Sequence, residues 1–256
     1  MQTPLIISLV LSATTLPSIP PTIHQELLQQ SNSISFSQSK RTLKSIYLKS
    51  NKNHTFYCGC SFDSDKQIDH ESCNYSPRIK SNKRSQQLEF EHVVPAHVLG
   101  KNLQCWKKPI CSKKDGRKYK GRKCCSKVSD EFQQMQSDMH NLFPTVGEVN
   151  GDRSNFVFGE IYGEERKYGE CDFEVAERIA EPKKSIRGDI ARSYFYMSHQ
   201  YKMKIPDDYE ELLRVWHLSD PPDEWEIDRN SLIEDVQGNR NPFIDYPEMV
   251  ERVRDY

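Results

Sequence analysis

The feature that most constrains this chain is a carboxylate and an imidazole placed side by side in a β-prone apolar segment. Residues 88–94 have the sequence Leu-Glu-Phe-Glu-His-Val-Val, and Pro95 follows them. Proline cannot donate a hydrogen bond to a sheet, so a strand is predicted to stop there. Because a buried charge needs a partner, Glu91 and His92 indicate a polar site built on this strand. Neighbouring strand residues project to opposite faces, so the two side chains must reach such a site from different sides or across a bulge.

A second polar stretch, residues 139–156, contains Asn150, and a loop rich in Lys, Arg and Cys lies between the two stretches. An acid, a base, an amide and a basic loop together suggest metal-assisted cleavage of a phosphodiester. Hydrolysis of a phosphodiester needs a base that titrates near neutrality, and His92 suits that role. It also needs a Lewis acid to neutralise charge on the phosphate, and a divalent cation suits that role. Mg²⁺ prefers oxygen ligands and often takes only one or two protein groups. Glu91 and the side-chain oxygen of Asn150 are therefore predicted to form its ligand pair.

Other polar residues in the two stretches have structural interpretations. His97 and His140 are interpreted as hydrogen-bonded histidines that brace the site. Asp152 and Arg153 are adjacent in sequence, and we interpret them as a salt bridge that caps a short helix.

The charge of the chain is unevenly distributed. From Lys101 to Lys127 there are eleven Lys or Arg and one acid, Asp115, whereas residues 207–256 contain fifteen acids and five Arg. The basic loop could be a solvated run. Phosphate contact explains it better, because it follows a predicted metal site, and a basic surface aimed at a polyanion is therefore predicted.

The cysteines and the N-terminus indicate export. The eight cysteines contain no CxxC pair and lie in polar, charged segments, which favours disulfides over free buried thiols. The apolar run 4–13 is too short to span a membrane and is followed by small residues and proline. We interpret residues 1–20 as a signal peptide, with an ordinary disordered N-terminus as the alternative. Residues 21–35 are interpreted as a linker and 36–256 as one catalytic domain.

Periodicity and turn residues predict a mixture of helices and strands, and so an α+β fold with a helical C-terminal part. Helices are predicted over 37–49, 129–140, 184–202, 207–217 and 222–236. Strands are predicted over 55–58, 88–94 and 141–144, a β-like segment over 168–179, and a short helix or tight loop over 146–156. Residues 61–86, which include Cys73, are predicted to form a long loop pinned by a disulfide.

The two motifs resemble those of the endonuclease I family of exported nucleases. The first motif runs from Glu89 to Ala96, with Phe90 where the family has Trp, and the second from Met135 to Asn155. Further similar segments are 56–60, 104–106, 121–123, 187–197 and 236–243. The resemblance covers residues 36–244 in order.

The resemblance implies a mixed α/β fold with a ββα-metal active site. It also implies cleavage of double- or single-stranded DNA, and often of RNA, with little sequence preference. By position, it implies His92 as the general base and Glu91 and Asn150 as ligands of Mg²⁺, for which Mn²⁺ could substitute. It implies that Arg122 stabilises the product-side phosphate.

The basic loop departs from the family pattern because it is longer. The family's Gly-Arg-Lys matches residues 121–123, but residues 116–118 repeat it, so Arg117 competes with Arg122. We expect Arg117, Lys118, Lys123 and Lys127 to contact nucleic acid. Cys111 and one of the two cysteines at 124 and 125 are additional to the family pattern and would staple the enlarged loop.

The resulting prediction is a monomeric, secreted or periplasmic, Mg²⁺-dependent, non-specific endonuclease without a membrane span, whose products carry 5′-phosphates. The alternative is a secreted nucleic-acid-binding module with a structural metal and no catalysis. Gln136, which replaces a family Glu, is the residue that favours the alternative.

Overall fold

The computed structural model describes residues 34–163 and 165–252 of the chain. The predicted signal peptide and residues 21–33 of the predicted linker lie outside the described residues. The helices are α1 (Phe36–Lys49), α2 (Ala96–Gly100), α3 (Gln104–Lys107), α4 (Arg122–Val128), α5 (Asp130–Ser137), α6 (Gly147–Arg153), α7 (Arg187–Tyr201), α8 (Asp207–Ser219), α9 (Glu224–Gln237), α10 (Pro242–Asp245) and α11 (Met249–Arg252). The strands are β1 (Leu88–His92), β2 (Cys111–Ser112), β3 (Lys118–Tyr119), β4 (Leu142–Val146), β5 (Val157–Phe158), β6 (Phe173–Ala176) and β7 (Ile179–Pro182). Helices and small sheets are mixed along the chain, so the predicted α+β class is confirmed.

The structural unit that positions the site is a two-stranded ladder followed by a helix. β1 pairs antiparallel with β4, from Leu88 opposite Val146 to His92 opposite Leu142. α6 begins at the residue after β4 and packs against both strands. A Cβ atom on Gly147, the first residue of α6, would lie 2.7 Å from the backbone oxygen of Arg84. Glycine therefore allows the close approach that turns the chain from strand into helix, which completes a ββα unit.

The C-terminal part is helical, as predicted, and is anchored to the ββα unit. α7 has eleven buried residues out of fifteen and packs along α8. In α9, the buried Arg229 donates from Nη2 to the carbonyl oxygens of Met139 (2.7 Å) and Leu142 (2.8 Å). These bonds satisfy carbonyl groups at the start of β4 and fix the position of α9 relative to it.

Four disulfides pair all eight cysteines, which confirms the prediction. The pairs are Cys58–Cys171, Cys60–Cys73, Cys105–Cys125 and Cys111–Cys124. Cys60–Cys73 pins the long polar loop, and the buried Glu148 of α6 holds the same loop by accepting from the Tyr75 hydroxyl (2.6 Å) and two backbone amides. Cys105–Cys125 and Cys111–Cys124 hold the base of the basic loop, and Cys58–Cys171 joins the turn before the long loop to the segment before β6.

Several predicted elements have different bounds. The predicted strand 55–58 is wrong, because these residues form a turn beside an isolated bridge from His54 to Ser61. The strand predicted to 94 ends at His92. The helix predicted over 129–140 ends at Ser137, and a 3₁₀ turn over Met139–Asn141 follows it. α1 begins at Phe36 because Ser35 and Gln38 form a capping box around its first turn.

Several short elements were not predicted, among them the hairpin of β2 and β3 and the helix α4. Both are short and consist of polar residues and cysteines, so no periodic pattern marks them. In the described part of the chain, no helix combines the length and the apolar character needed to cross a membrane.

Candidate active site

Glu91 lies in β1 with its side chain 3% exposed, and its carboxylate is held by two donors. Oε1 accepts hydrogen bonds from the Tyr57 hydroxyl (3.2 Å) and from Nη1 of Arg153 (2.6 Å). Arg153 is itself 1% exposed and also donates to the backbone oxygens of His92 (2.9 Å) and Val93 (2.7 Å). One buried guanidinium thus fixes both the carboxylate and the end of the strand that carries it.

Burial and the two donors have opposite effects on the pKa of the Glu91 carboxyl. Burial raises the pKa of the Glu91 carboxyl to about 7, and Arg153 and Tyr57 act against that rise. Among the described residues, both donors contact Oε1, so Oε2 has no hydrogen-bond partner. A cation at Oε2 would favour the ionised form further.

His92 follows Glu91 in β1, and its ring has neighbours other than those of the Glu91 carboxylate, namely Gln136 and Phe36. Nε2 of His92 lies 2.8 Å from the backbone oxygen of Gln136. A carbonyl oxygen only accepts, so Nε2 carries the proton and the lone pair is on Nδ1. Burial, with the nearby charge of Arg122, lowers the pKa of His92 to about 3. The imidazole is therefore neutral at physiological pH, with its tautomer fixed by the backbone of α5.

Asn150 is positioned by the carboxylate two residues before Glu91. Its Nδ2 donates to Oε2 of Glu89 (2.7 Å), and Glu89 accepts two further bonds from the guanidinium of Arg84 (2.8 and 2.7 Å). Residues two apart share a face of a strand, so Glu89 brings Asn150 to the face of β1 that carries Glu91. Because Nδ2 makes the bond to Glu89, the amide oxygen Oδ1 is left as an acceptor.

These two oxygens fit a hard divalent cation. Glu91 Oε2 and Asn150 Oδ1 are a carboxylate and an amide oxygen, the ligand types that Mg²⁺ takes in proteins. Among residues 34–163 and 165–252, no group of three or more His, Cys, Asp or Glu side chains is arranged to hold a metal. A cation at this position would thus rely on two protein oxygens and complete its shell with water, as Mg²⁺ commonly does.

Arg122 is close to the site, whereas Arg117 is part of the hairpin turn. Arg122 is the first residue of α4, and its guanidinium carbon lies 5.2 Å from the ring centre of Phe36. The Phe36 ring is 5.0 Å from that of His92, and the charge of Arg122 influences the pKa of His92. Arg117 instead forms an exposed ion pair with Asp115 (2.6 Å).

The other basic residues predicted to bind nucleic acid are exposed around α4 and the hairpin. Lys118 lies in β3 and donates from Nζ to the Ser112 hydroxyl (2.9 Å). Lys123 and Lys127 are exposed on α4. Their side chains are accessible on the same segment as Arg122.

The interpretation of Asp152 and Arg153 as a salt bridge is wrong. Asp152 pairs with Arg78 (2.8 Å) and accepts from the Tyr168 hydroxyl (2.7 Å), while Arg153 turns inward to Glu91. Asn150 and Arg153 are three residues apart and so lie on one face of α6. α6 therefore directs the amide of Asn150 and the guanidinium of Arg153 to β1, the strand that carries the acidic side chains.

The two histidines that were interpreted as braces, His97 and His140, differ in burial and in their contacts. His140 is buried, and its Nε2 lies 3.0 Å from the backbone oxygen of Asn239, so the interpretation as a hydrogen-bonded histidine is confirmed for it. The described contact of the exposed His97 is an edge-on packing against Trp106, with ring centres 5.7 Å apart.

The sequence did not indicate the roles of Tyr57, Phe36, Glu89 and Arg153 in the site. The need of a buried Glu91 for a cationic partner was a usable signal for Arg153. Phe36 carried no comparable signal, because its contact with His92 depends on how α1 packs on the ββα unit.

Comparison with known proteins identifies the family. The sequence matches the family described as endonuclease I over residues 28–248. This chain belongs to the endonuclease I family. It is therefore an endonuclease, and the resemblance seen in the two motifs is confirmed.

Several relatives can be aligned with this chain over most of its length. A periplasmic deoxyribonuclease of Aeromonas hydrophila is 43% identical over 216 residues, which cover 81% of this chain and 86% of the relative. An extracellular deoxyribonuclease of the same organism is 44% identical over 218 residues, with 82% and 87% covered. Endonuclease-1 of Buchnera aphidicola subsp. Acyrthosiphon pisum is 36% identical over 218 residues, with 80% and 82% covered.

Proposed function

We propose that this endonuclease I family member is an exported, Mg²⁺-dependent nuclease that hydrolyses phosphodiester bonds of DNA, and also of RNA, with little sequence preference. The observation that supports it most strongly is the arrangement of Glu91, His92 and Asn150 on one ββα unit. The names of its relatives, periplasmic and extracellular deoxyribonucleases, support the substrate and the compartment. Four disulfides are also consistent with an oxidising compartment.

His92 acts as the general base. Nδ1 carries the lone pair, because Nε2 donates to the Gln136 carbonyl, and it accepts the proton of the attacking water. The lowered pKa keeps the imidazole free of a proton before the reaction. The hydrogen bond to Gln136 also restrains the ring, so the base is oriented before substrate binds.

Glu91 and Asn150 would hold the cation through Oε2 and Oδ1. When bound, Mg²⁺ supplies a Lewis acid that neutralises charge on the phosphate and stabilises the leaving 3′ oxygen, so that the products carry 5′-phosphates. Arg153 keeps the ligating carboxylate in place, and Glu89 keeps the amide oriented. Arg122 contacts the phosphate on the product side, for which its place near His92 is suitable.

The replacement of a family Glu by Gln136, which favoured a pure binding function, does not disturb the contact between this residue and His92. The contact of this residue with His92 is made by its backbone oxygen, while its side-chain Oε1 accepts from the Ser126 hydroxyl (3.1 Å). A change from Glu to Gln leaves that backbone contact intact. The alternative of a non-catalytic module is not retained, because the chain also belongs to a family of endonucleases.

The experiment that tests this proposal is incubation of oxidised protein with supercoiled plasmid, in Mg²⁺ and in EDTA. We expect the wild type to degrade the plasmid in Mg²⁺ alone. His92→Ala should be inactive, whereas His97→Ala, a matched change at an exposed histidine, should retain activity. Degradation by His92→Ala at the wild-type rate, or by the wild type in EDTA, would contradict the proposal.

A further inference from the structure

The segment that joins α3 to α4 is a basic hairpin. We call residues 108–120 the basic hairpin. β2 and β3 pair within it, the backbone amide of Lys113 donates to the oxygen of Arg117 (2.9 Å), and Gly116 forms the turn at φ 82°. Such a positive φ is readily adopted only by glycine, so the sequence encodes a tight turn here.

The basic hairpin is anchored at its base by covalent bonds. Cys111 in β2 is bonded to Cys124, and Cys105 in α3 to Cys125, both in α4. The Gly121 amide also donates to the Cys105 oxygen (2.9 Å). A loop held in this way is ordered before it meets a ligand, so binding loses less conformational entropy.

The charges of the basic hairpin are exposed and largely unpaired. It contains six Lys or Arg and one acid, and all seven of these residues are exposed. Within the described part of the chain, the salt bridge on this hairpin joins Arg117 to Asp115. Lys108, Lys113 and Lys114 have no acidic partner there, so their charges remain available to an anion.

The basic hairpin lies close enough to the site for one nucleic-acid strand to contact both. It ends two residues before Arg122, which stacks on Phe36 beside His92. Lys118 lies four positions before Arg122 in the chain, and four extended residues reach at most about 14 Å. At about 3.4 Å of rise per nucleotide, Lys118 and Arg122 therefore lie within roughly four nucleotides of each other along one strand.

We propose that the basic hairpin is a second polynucleotide-binding surface, outside the catalytic site, that holds backbone phosphates several nucleotides from the bond being cut and so favours long substrates over short ones. The proposal deepens the nuclease function and relies on it for the position of the cut. The ligand chemistry is a run of phosphodiesters, because the exposed side chains are cationic and contacts to backbone phosphates require no base-reading group.

The test is a charge-removal variant of the basic hairpin, Lys108→Gln/Lys113→Gln/Lys114→Gln. Its matched control is Lys49→Gln/Lys184→Gln/Lys204→Gln, which removes the same charge from exposed positions on other elements. Binding to a duplex of about 40 base pairs is measured by fluorescence anisotropy in EDTA over about 50–200 mM salt, where counterion release dominates. Cleavage in Mg²⁺ is measured on that duplex and on an oligonucleotide of about six nucleotides, a length matched to the site alone.

We expect the slope of log K against log salt to become shallower by about 2–3 in the hairpin variant, at about 0.9 for each lost phosphate contact, and to be unchanged in the control. kcat/KM should fall about tenfold or more on the long duplex and stay within about twofold on the short oligonucleotide. An unchanged slope would overturn the proposal, as would an equal loss on both substrates. If the wild type cut neither substrate, the nuclease function would fail while the binding comparison still decided the role of the hairpin.

A second variant, Cys111→Ser/Cys124→Ser, tests the rigidity of the basic hairpin. It keeps every charge and leaves the Cys105–Cys125 bond in place. We expect weaker duplex binding at every salt concentration with the wild-type slope, because the same contacts form from a less ordered loop. Wild-type affinity in this variant would overturn the claim that the ordered hairpin is what binds.

Discussion

Arg153 stabilises Glu91, a carboxylate that would otherwise be a buried, uncompensated charge. It donates to Glu91 and to two backbone oxygens of the same strand segment, and its guanidinium carbon lies 4.3 Å from the ring centre of Phe158. Removing one member of a buried ion pair generally costs more than the pair contributes, because the other charge remains unpaired.

We expect Arg153→Met to lower the free energy of unfolding by about 3–5 kcal/mol, since it leaves Glu91 buried without its cation. Adding Glu91→Gln should restore a large part of that loss, although the double variant should stay inactive for lack of the ligand carboxylate. Urea unfolding of the oxidised proteins measures both effects. Equal stability of Arg153→Met and the wild type would show that the pair does not stabilise the fold.

His140 gives a pH dependence to stability. Burial lowers its pKa to about 4 from the usual 6.5, so between these values the unfolded chain binds more protons than the folded one. Stability is then fully present above pH 6.5 and decreases as the pH falls towards 4, by at most about 1.4 kcal/mol per pH unit.

We expect His140→Gln to flatten the pH dependence of stability between pH 6.5 and 4. Glutamine places an N–H near the position of Nε2 and can still donate to the Asn239 oxygen, but it does not titrate. Urea unfolding at several pH values gives the slope for each protein. Identical slopes in the two proteins would contradict the assignment.

At the scale of elements, α6 carries two side chains of the site, and its first turn packs closely against the segment before β1. It carries Asn150 and Arg153 one turn apart, and it starts at Gly147, where the chain passes close to the loop before β1. A Cβ on Gly147 would lie 2.7 Å from the Arg84 oxygen and 2.9 Å from Oε1 of Glu89. A side chain there would displace the helix or Glu89, and both affect how Asn150 is oriented.

We expect Gly147→Ala to reduce stability by about 1–3 kcal/mol and to reduce activity by more than stability alone explains. Gly163→Ala is the matched control. Gly163 has φ 67°, and a Cβ there would meet no atom within 4 Å, so it should lose about 1 kcal/mol through backbone strain and keep its activity. Thermal unfolding and plasmid cleavage at the same temperature distinguish the two. Full activity of Gly147→Ala would contradict the close approach at this position.

The elements that the sequence predicted are those with long periodic patterns. The helices α7, α8 and α9 were predicted to within a few residues, since each is 13 to 15 residues long and so offers a pattern of several turns. The hairpin of β2 and β3 and the helix α4 were missed, because two disulfides and a tight turn determine them. In the site, His92, Glu91 and Asn150 follow from residue chemistry, and Arg122 from the family motif. The inward turn of Arg153 depends on packing across 62 residues of chain, which no local pattern specifies.

At the scale of the whole molecule, the disulfides connect segments that are far apart in sequence. Cys58–Cys171 spans 113 residues and joins the turn before the long loop to the segment before β6, whereas Cys60–Cys73 spans 13. Longer closed loops restrict the unfolded chain more, so the first bond should stabilise the protein more.

We expect Cys58→Ser/Cys171→Ser to cost about 4–5 kcal/mol of unfolding free energy and Cys60→Ser/Cys73→Ser about 3 kcal/mol, from the entropy of loop closure. Urea unfolding with the other bonds intact measures the difference. The reverse order would indicate that contacts around the shorter loop, and not chain entropy, dominate.

Chemical rescue tests most directly whether His92 takes the proton from the attacking water. His92→Gly should lose plasmid cleavage in Mg²⁺, and added imidazole should restore a measurable fraction of it, because a free base can occupy the space left by the side chain. Asn150→Ala, which removes a proposed metal ligand, should not respond to imidazole. Rescue of His92→Gly alone is the result that we predict. Wild-type cleavage by His92→Gly without imidazole would contradict the role of His92 as the base.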